Sequence, residues 1–376
     1  MTVNSYKICA DGKCRFTENK QNMRCELMNK IGVVVVGYGG MGGFHVNELL
    51  EMDKFELLGI YDIKEERRKA AEEKGIHAYG SFEEVLADER VELITCAAYN
   101  DCHKEIVIKA LEAGKNVISE KPVTLCSADL EEMIAAAEKS GKLFTVHQNR
   151  RWDNDYRTIK NIYDKNELGK VHQIDSRVYG SRGIPGDWRS EKEHGGGMVL
   201  DWGAHLLDQI LMLNEHKRLT SVYATLTHVT NEEVDDGFRA VLKFEDGPEC
   251  LVEVFTNNFI EPSRWYMTGE NGTALVESWE LEGKIVKIKD WEKIDAVPIR
   301  AGAGITKTMA PRTDETIKEF PLEKIQVRWS EYYDNIYDVI RNGAAPIVTL
   351  DQQRRLMKLM EAVFESAAKN QVVSFE

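Results

Sequence analysis

The sequence IGVVVVGYGGMGG spans residues 31–43, and the predicted fold follows from it. Its first half is a short, unbroken run rich in β-branched residues, which is typical of a central parallel strand buried on both faces. Its second half contains the pattern GxGxxG, formed by Gly37, Gly39 and Gly42, and an amphipathic helical pattern follows. The stretch therefore predicts a buried strand, a tight glycine turn and a helix in direct succession.

Strand and helix patterns continue to alternate from this stretch to about residue 147. The further strand patterns are FELLGIYD (55–62), VELITCAA (91–98), NVISE (116–120) and KLFTVH (142–147). Helical patterns separate them, which predicts a doubly wound parallel sheet of the Rossmann type.

Beyond about residue 150 the strand patterns become longer, and apolar and polar residues alternate in them. Asp246-Gly247 and Asn271-Gly272 are typical of tight hairpin turns, so these strands are predicted to form an antiparallel sheet. The C-terminal helix is expected to pack back on the Rossmann domain. The prediction is an α/β protein with an N-terminal extension (1–29), a Rossmann dinucleotide-binding domain (30–147) and an α+β domain on an open antiparallel sheet (148–376).

The composition excludes several classes of partner. The 376 residues carry a formal net charge of −14, which argues against nucleic acid or an anionic membrane surface, because both favour a basic face. No apolar run approaches the roughly 20 residues of a membrane span, and the N-terminus lacks the apolar segment of a secretory signal. We therefore expect a cytoplasmic protein that binds a polar small molecule.

The seven cysteines are odd in number and scattered, as expected of reduced thiols. Cys9, Cys14 and Cys25 crowd the N-terminus, but no nearby Cys or His completes a four-ligand zinc site. Plain thiols on a hairpin, YKICADGKCRF, are favoured over a zinc knuckle. No metal is predicted.

The glycine turn predicts a dinucleotide site, for a different reason at each glycine. Gly37 permits the tight turn, Gly39 lets the backbone approach a pyrophosphate, and Gly42 lets helix and strand pack closely. The pyrophosphate then lies at the helix N-terminus, where N–H groups and the helix dipole favour negative charge. The predicted cofactor-binding loop comprises Gly37, Tyr38, Gly39, Gly40, Met41 and Gly42.

Asp62 ends the second strand pattern, twenty residues after Gly42. A carboxylate at this place accepts hydrogen bonds from the adenosine ribose hydroxyls and repels a 2′-phosphate. Arg67 and Arg68 lie nearby on the following helical pattern. We interpret Asp62 as favouring NAD over NADP, with a simple turn aspartate as the alternative interpretation.

The motif Glu120-Lys121-Pro122 stands at the end of the strand pattern NVISE. Ligands of open α/β sheets bind outside the carboxyl ends of the strands, so Lys121 is expected to point into that crevice. An ammonium group there can hydrogen-bond a reacting oxygen and stabilise the negative charge that develops on it. Pro122 is a candidate for a cis peptide bond. Taken alone, a Lys-Pro pair would be interpreted as solvated surface.

A third motif, HGGGMVLDWGAHLLDQ, occupies residues 194–209. Its triple glycine predicts that the backbone passes close to a bulky group. Asp201 and His205 are four residues apart on the helix that follows, hence on one face. An imidazole, with an ordinary pKa of ~6.5, can take up a hydroxyl proton as a hydride leaves. Asp201 is expected to orient that imidazole or to bind a substrate hydroxyl; the alternative is a surface pair.

The chain resembles the Gfo/Idh/MocA oxidoreductases, which include glucose–fructose oxidoreductase and inositol dehydrogenase. The resemblance begins at Lys30 and rests on VGYGGMGGFH, NDCH (100–103), EKP and GGGMVLDWGAHLLDQ. It implies transfer of a hydride between NAD and a ring secondary alcohol of a sugar, glycoside or cyclitol, for example at carbon 3 of a glycoside. Two alternatives come from relatives: an NAD-dependent glycosidase acting by oxidation and elimination, and a non-catalytic dinucleotide-binding regulator.

The resemblance also implies roles for particular residues and a homo-oligomer, a dimer or larger. Lys121, Asp201 and His205 become the catalytic group, with His205 as the acid–base. An aromatic ring can stack on the C–H face of a sugar while an arginine binds its hydroxyls. The implied cofactor contacts are Asn100, His103, Glu120, Lys121, Gln148, Arg150 and Trp188, and the implied substrate contacts are Lys121, Arg151, Tyr179, Trp188, Arg189, Asp201 and His205.

Overall fold

The computed structural model of the chain describes residues 30–293 and 295–375. The predicted N-terminal extension, its hairpin and its three cysteines lie outside the described residues. The four cysteines that are described are free thiols: Cys96, Cys102, Cys126 and Cys250.

The first part of the chain forms a parallel sheet with helices between its strands. The strands are β1 (Ile31–Val36), β2 (Phe55–Tyr61), β3 (Leu93–Cys96), β4 (Asn116–Ser119) and β5 (Phe144–Val146). The helices are α1 (Gly40–Leu50), α2 (Glu65–Glu72), α3 (Phe82–Ala87), α4 (His103–Glu112) and α5 (Ser127–Ser140). The strand order is β2-β1-β3-β4-β5, and β1 is buried along its whole length. The predicted Rossmann-type sheet is therefore confirmed.

The second part of the chain contains a larger open sheet and a separate short hairpin. The strands are β6 (Val171–Tyr179), β7 (Leu219–Thr227), β8 (Gly237–Phe244), β9 (Glu249–Phe255), β10 (Trp265–Gly269), β11 (Gly272–Val276), β12 (Gly283–Ile288), β13 (Ile299–Ala301), β14 (Gly304–Thr306), β15 (Ile317–Pro321) and β16 (Val373–Ser374). The sheet order is β15-β12-β11-β10-β6-β9-β8-β7-β16, and β13 pairs with β14. The predicted α+β architecture is confirmed.

One detail of the predicted sheet is wrong, because the sheet is mixed and not antiparallel throughout. Strands β6 and β9 run parallel, with Gln173 opposite Glu249 and Tyr179 opposite Phe255. A parallel pair needs a long connection, and here helix α7 (Ala204–Leu213) and strands β7 and β8 lie between the two strands in the chain. The predicted turn at residues 246–247 joins β8 to β9. Between β10 and β11 the turn residues are Glu270 and Asn271, one position before the predicted Asn-Gly pair.

The remaining helices are α6 (Asn154–Asp164), α8 (Ser330–Asn342) and α9 (Leu350–Lys369). The last two pack against the Rossmann domain: the ring of Tyr333 of α8 lies 5.4 Å from that of Phe55 of β2, and Glu361 of α9 accepts hydrogen bonds from Ser127 of α5. Within the described ranges, no helix combines the length and the apolarity that crossing a bilayer requires.

Candidate active site

The glycine loop joins β1 to α1. Gly37 has a left-handed backbone (φ +93°), and a Cβ there would lie 2.4 Å from the carbonyl oxygen of Ala97. A Cβ on Gly42 would lie 1.8 Å from the carbonyl oxygen of Gly37, so turn and helix touch through backbone alone. No side chain caps α1, and a Cβ on Gly40 would meet no heavy atom within 4 Å. This open space before an uncapped helix N-terminus fits a dinucleotide pyrophosphate.

Asp62 is bound to the glycine loop at the end of β2. Its Oδ2 accepts the backbone N–H of Tyr38 at 2.7 Å and an N–H of Arg67 at 3.2 Å, and its Oδ1 accepts the N–H of Lys64 at 2.8 Å. Arg67 also lies beside Gly39, where a Cβ would be 3.3 Å from its Nη1. The Asp62 carboxylate can still accept hydrogen bonds from ribose hydroxyls, and the positively charged Arg67 lies next to it.

Lys121 and Asp201, which are 80 positions apart, form a largely buried ion pair. Lys121 Nζ donates to Asp201 Oδ1 at 2.8 Å and to the Asp201 carbonyl oxygen at 3.1 Å. Arg189 Nε donates to Asp201 Oδ2 at 2.9 Å. Burial alone would raise the pKa of Asp201, but Lys121 and Arg189 hold it below its ordinary value. The Lys121-Pro122 peptide bond is cis.

His205 is buried on α7. Burial and the positive charges of Lys121 and Arg150 lower its pKa well below the ordinary value of 6.5. Its Nδ1 is buried and has no hydrogen-bond partner among the residues that the structure describes. Because the imidazole is neutral, it can act as the acceptor of a proton from a bound hydroxyl.

Asp201 lies in a π-helical turn, Val199–Gly203, which leads directly into α7. Sequence analysis predicted an α-helix over both Asp201 and His205, with Asp201 as a candidate to orient the imidazole. The Asp201 carboxylate instead bonds Lys121 and Arg189. Such π turns are rare and are frequent at functional sites.

The triple glycine at residues 195–197 brings three groups close to the backbone. At each of the three positions a Cβ would lie 2.3 Å from a neighbouring atom. That atom belongs to the Leu125 side chain at the first glycine, is the Arg189 carbonyl oxygen at the second, and belongs to the Asp235 carboxylate at the third. Asp235 Oδ2 accepts the N–H of Val199, at the start of the π turn, at 2.8 Å. Asp235 therefore supports the segment that presents Asp201.

Asp235→Asn is expected to remove a pH dependence of stability. Burial raises the pKa of Asp235 to about 7. Between about pH 4 and about pH 7, the folded protein keeps a proton on Asp235 that the unfolded chain has lost. The free energy of unfolding should therefore fall by up to ~4 kcal/mol as the pH rises through this range. Asparagine still accepts the Val199 N–H without ionising. Denaturant unfolding at about pH 5 and about pH 8 measures the slope.

Asp236→Asn is the matched control. Burial raises the pKa of Asp236, but hydrogen bonds from Thr227 and Thr230 lower it overall, so its ionised form stabilises the fold. This variant should lose stability at neutral pH. A pH slope in Asp235→Asn equal to that of the natural protein would contradict the role of Asp235.

Glu120 lies in a buried network that sequence analysis did not find. Its Oε1 lies 2.7 Å from His147 Nδ1 and 2.8 Å from His45 Nε2, and the Tyr333 hydroxyl lies 2.7 Å from His45 Nδ1. Burial would raise the pKa of Glu120, but the imidazoles hold it well below its ordinary value. Its Oε2 accepts the N–H of Lys121 at 3.1 Å. Glu120, predicted as a cofactor contact, thus positions the backbone of Lys121.

Asn100 lies in the loop after β3, and His103 begins α4. Asn100 Nδ2 donates to the Gly195 carbonyl oxygen at 3.2 Å. The ring nitrogens of His103 lie 3.0 Å and 3.2 Å from the carbonyl oxygens of Pro122 and Ala98. The two side chains therefore connect the loop to the triple glycine and to the Lys121-Pro122 turn. Both ring nitrogens of His103 face backbone carbonyl oxygens, and its predicted cofactor contact stays a prediction.

Gln148 and Arg150 each retain a buried polar atom without a partner among the described residues, Gln148 Oε1 and Arg150 Nε. Gln148 Nε2 donates to Gln353 of α9 at 3.0 Å, and Arg150 Nη1 donates to Asp153 at 2.9 Å. Both side chains are thus held in place by neighbouring residues, and their predicted cofactor contacts stay predictions.

Two predicted substrate contacts, Arg151 and Tyr179, bond other residues of the fold. The buried guanidinium of Arg151 is bound by Asp208 at 2.6 Å and 2.7 Å and by Gln352 at 2.7 Å. These bonds use most of its donors, so Arg151 is a structural cation. The Tyr179 hydroxyl donates to Glu253 at 3.1 Å.

Three tryptophans stack with arginines in this region. The Arg189 guanidinium lies 4.5 Å from the ring centre of Trp188, and the Arg150 guanidinium lies 4.1 Å from Trp202 and 5.5 Å from Trp279. Trp188 was predicted as a ligand contact. Trp202 was missed although it lies inside the third motif, and no sequence pattern marks Trp279.

Comparison with known proteins identifies both parts of the chain. Residues 31–148 match the oxidoreductase family with an NAD-binding Rossmann fold, and residues 156–275 match the GFO/IDH/MocA C-terminal domain. An uncharacterised oxidoreductase of Schizosaccharomyces pombe is 35% identical over 84% of this chain and 90% of its own length. Inositol 2-dehydrogenase of Salmonella typhimurium is 26% identical over 81% of this chain and 82% of its own length.

A solved structure supports the same conclusion. The crystal structure of an NAD-binding protein from Listeria innocua is 46% identical, covers 92% of this chain and all of its own, and superimposes with a TM-score of 0.90. The fold and the site therefore define an oxidoreductase that binds NAD or NADP. The chain belongs to the Gfo/Idh/MocA oxidoreductase family, as the motifs predicted.

Proposed function

We propose that this enzyme transfers a hydride between a ring secondary alcohol of a sugar, glycoside or cyclitol and the nicotinamide of NAD. The observation that carries the proposal is the largely buried Lys121–Asp201 ion pair, at 2.8 Å, near the low-pKa imidazole of His205. The sugar-like substrate class is supported by relatives named as inositol dehydrogenases.

The three catalytic residues divide the work. When bound, NAD supplies the hydride acceptor. Neutral His205 accepts the proton of the reacting hydroxyl, because its pKa lies well below neutrality. Lys121 donates a hydrogen bond to the same oxygen and stabilises the charge that develops on it. Asp201 holds Lys121 in place through two of its oxygen atoms.

NAD is proposed as the preferred cofactor, with the Asp62 carboxylate as the support. That carboxylate lies 2.7 Å from the N–H of Tyr38 in the glycine loop, where a bound ribose would meet it. Arg67 stands beside Asp62 and supplies a charge that a 2′-phosphate could use. The cofactor preference therefore depends on whether the Asp62 carboxylate or the Arg67 guanidinium has the larger effect on a bound ribose. One relative, of Bacillus subtilis, is named as an NADP-dependent scyllo-inositol 2-dehydrogenase.

A substrate screen tests the proposal. The purified enzyme is incubated with sugars, glycosides and cyclitols and with NAD or NADP, while reduced cofactor is followed by absorbance and products by mass spectrometry. We expect a keto product from a ring alcohol and a higher kcat/KM with NAD. Release of free sugar from a glycoside without net reduced cofactor would favour the glycosidase alternative, and no conversion of any such compound would overturn the proposal.

We further propose a cytoplasmic homo-oligomer. The four described cysteines are free thiols, which suits a reducing compartment. The outer strands of the nine-stranded sheet offer an edge and a face that a second copy can cover.

A further inference from the structure

Trp202 contacts both the proposed acid–base and an arginine. Its ring centre lies 6.0 Å from that of His205, with the two ring planes 71° apart, which is an edge-to-face contact. The guanidinium of Arg150 lies 4.1 Å from the centre of the same indole, within the distance at which an aromatic face attracts a cation. Trp202 lies in the π turn that leads into the helix of His205. The imidazole and the guanidinium therefore both pack against one side chain.

Other contacts fix Arg150 at its backbone and at one nitrogen. Its carbonyl oxygen accepts a hydrogen bond from the amide of Gln209 on α7 at 2.7 Å, and its Nη1 donates to Asp153 at 2.9 Å. The ring of Trp279 lies 5.5 Å from the guanidinium and 6.1 Å from the ring of Trp202. An arginine side chain has many rotamers, so the nearer indole, that of Trp202, restricts which of them Arg150 adopts.

Four charged or titratable groups around His205, at the carboxyl ends of β4 and β5, act on its protonation. Burial has the largest effect on the pKa of the imidazole and lowers it, and Lys121, Arg150 and His147 lower it further. The Glu120 carboxylate raises it. An arginine keeps its proton in a protein, so its effect on the imidazole depends on where its guanidinium lies. A residue that fixes this guanidinium therefore acts on the protonation of His205.

We propose that Trp202 is a positioning residue for the hydride transfer: it holds the Arg150 guanidinium beside His205, where this permanent positive charge disfavours a second one on the imidazole. The inference rests on the proposed function, because it assumes that neutral His205 accepts the hydroxyl proton. Without the indole, Arg150 can adopt other rotamers and move its charge away. The imidazole then takes up a proton at a higher pH, and less of the enzyme is ready to react on the acidic side.

The kinetic test compares Trp202→Leu with the natural protein, at saturating NAD and with the best substrate of the screen. The acidic limb of the kcat–pH profile should move to higher pH, and kcat at a pH on that limb should fall by about 3- to 10-fold. Trp202→Phe keeps an aromatic ring against both groups and should retain the natural profile. An equal fall in kcat at every pH in Trp202→Leu would show a merely structural role and would overturn the inference.

Trp291→Leu is the matched control. Trp291 also lies against an arginine, Arg312 at 4.9 Å, but 61% of Trp291 is exposed. This variant should leave the pH profile unchanged.

A double-mutant cycle tests whether Trp202 acts through Arg150. Arg150→Met removes the charge and keeps an unbranched side chain, so it should move the acidic limb to higher pH as Trp202→Leu does. Adding Trp202→Leu to Arg150→Met should then move the limb no further, because the charge that Trp202 positions is already absent. Shifts that add would show that the indole acts on His205 by another route, and they too would overturn the inference.

A titration without turnover separates this inference from the proposed function. The ring signals of His205 are followed by NMR as the pH is changed, and the His205→Asn variant assigns them. A midpoint that is higher in Trp202→Leu than in the natural protein supports the positioning role even if no sugar, glycoside or cyclitol is oxidised. An equal midpoint in the two proteins overturns the positioning role, whatever the outcome of the substrate screen.

Discussion

Lys121→Ala is expected to lower kcat by about 10²- to 10³-fold while NAD affinity stays within about twofold. The Lys121 ammonium is the proposed donor to the reacting oxygen, and it contacts Asp201 and not the glycine loop. Its loss therefore removes stabilisation of the developing charge and leaves the dinucleotide site intact. Turnover with the best substrate of the screen and NAD binding by calorimetry measure the two effects.

A second readout of this variant separates a catalytic role from a structural one. Lys121 is one of the charges that lower the pKa of His205. Without it, the pKa of His205 should rise, and His205 should become protonated at a higher pH. The acidic limb of the residual kcat–pH profile should then move to higher pH.

Lys104→Ala is the matched control for Lys121→Ala. Lys104 also forms a close lysine–aspartate pair, with Asp129 at 2.7 Å, but on the surface between α4 and α5. This variant should keep full turnover. Undiminished turnover in Lys121→Ala, or equal losses in the two variants, would remove Lys121 from the catalytic group.

The parallel sheet could be predicted from the sequence because its signals are local. The run at residues 31–36 is apolar on both faces, and every side chain in it is buried. Hairpins at Asp246-Gly247 and Asn271-Gly272 were likewise marked by turn residues. The parallel pairing of β6 with β9 could not be predicted, because no local pattern specifies which distant strand a central strand joins.

In the candidate site, too, the residues in local motifs could be predicted from the sequence, and the contacts between distant segments could not. Lys121, Asp201 and His205 stand in recognisable motifs, and the structure brings Lys121 and Asp201 into contact. The partners of Glu120 come from two distant segments, and their roles arise only when β4, β5 and α1 lie side by side. Arg151 was predicted as a substrate contact from the family resemblance, and its ion pair with Asp208 inside the fold could not be predicted because Asp208 lies 57 positions away.

Gly42→Ala is expected to lower NAD affinity by about 10- to 100-fold. A Cβ at this position would lie 1.8 Å from the carbonyl oxygen of Gly37, which is backbone and cannot rotate away. Helix α1 must then shift relative to the glycine turn, at a cost of roughly 1–3 kcal/mol, and the N–H groups at its start leave the pyrophosphate position. Calorimetric titration with NAD measures the loss, and the Tm reports any accompanying destabilisation.

Gly43→Ala isolates this steric effect, because the two glycines are neighbours on the same helix. A Cβ on Gly43 would meet no heavy atom within 4 Å. Alanine is also a better helix former than glycine by about 1 kcal/mol, so Gly43→Ala should keep NAD affinity and hold or raise the Tm. If Gly42→Ala bound NAD as tightly as Gly43→Ala, the close approach of Gly42 to Gly37 would not be what shapes the dinucleotide site. The contrast between adjacent positions therefore tests the reason for the third glycine in IGVVVVGYGGMGG directly.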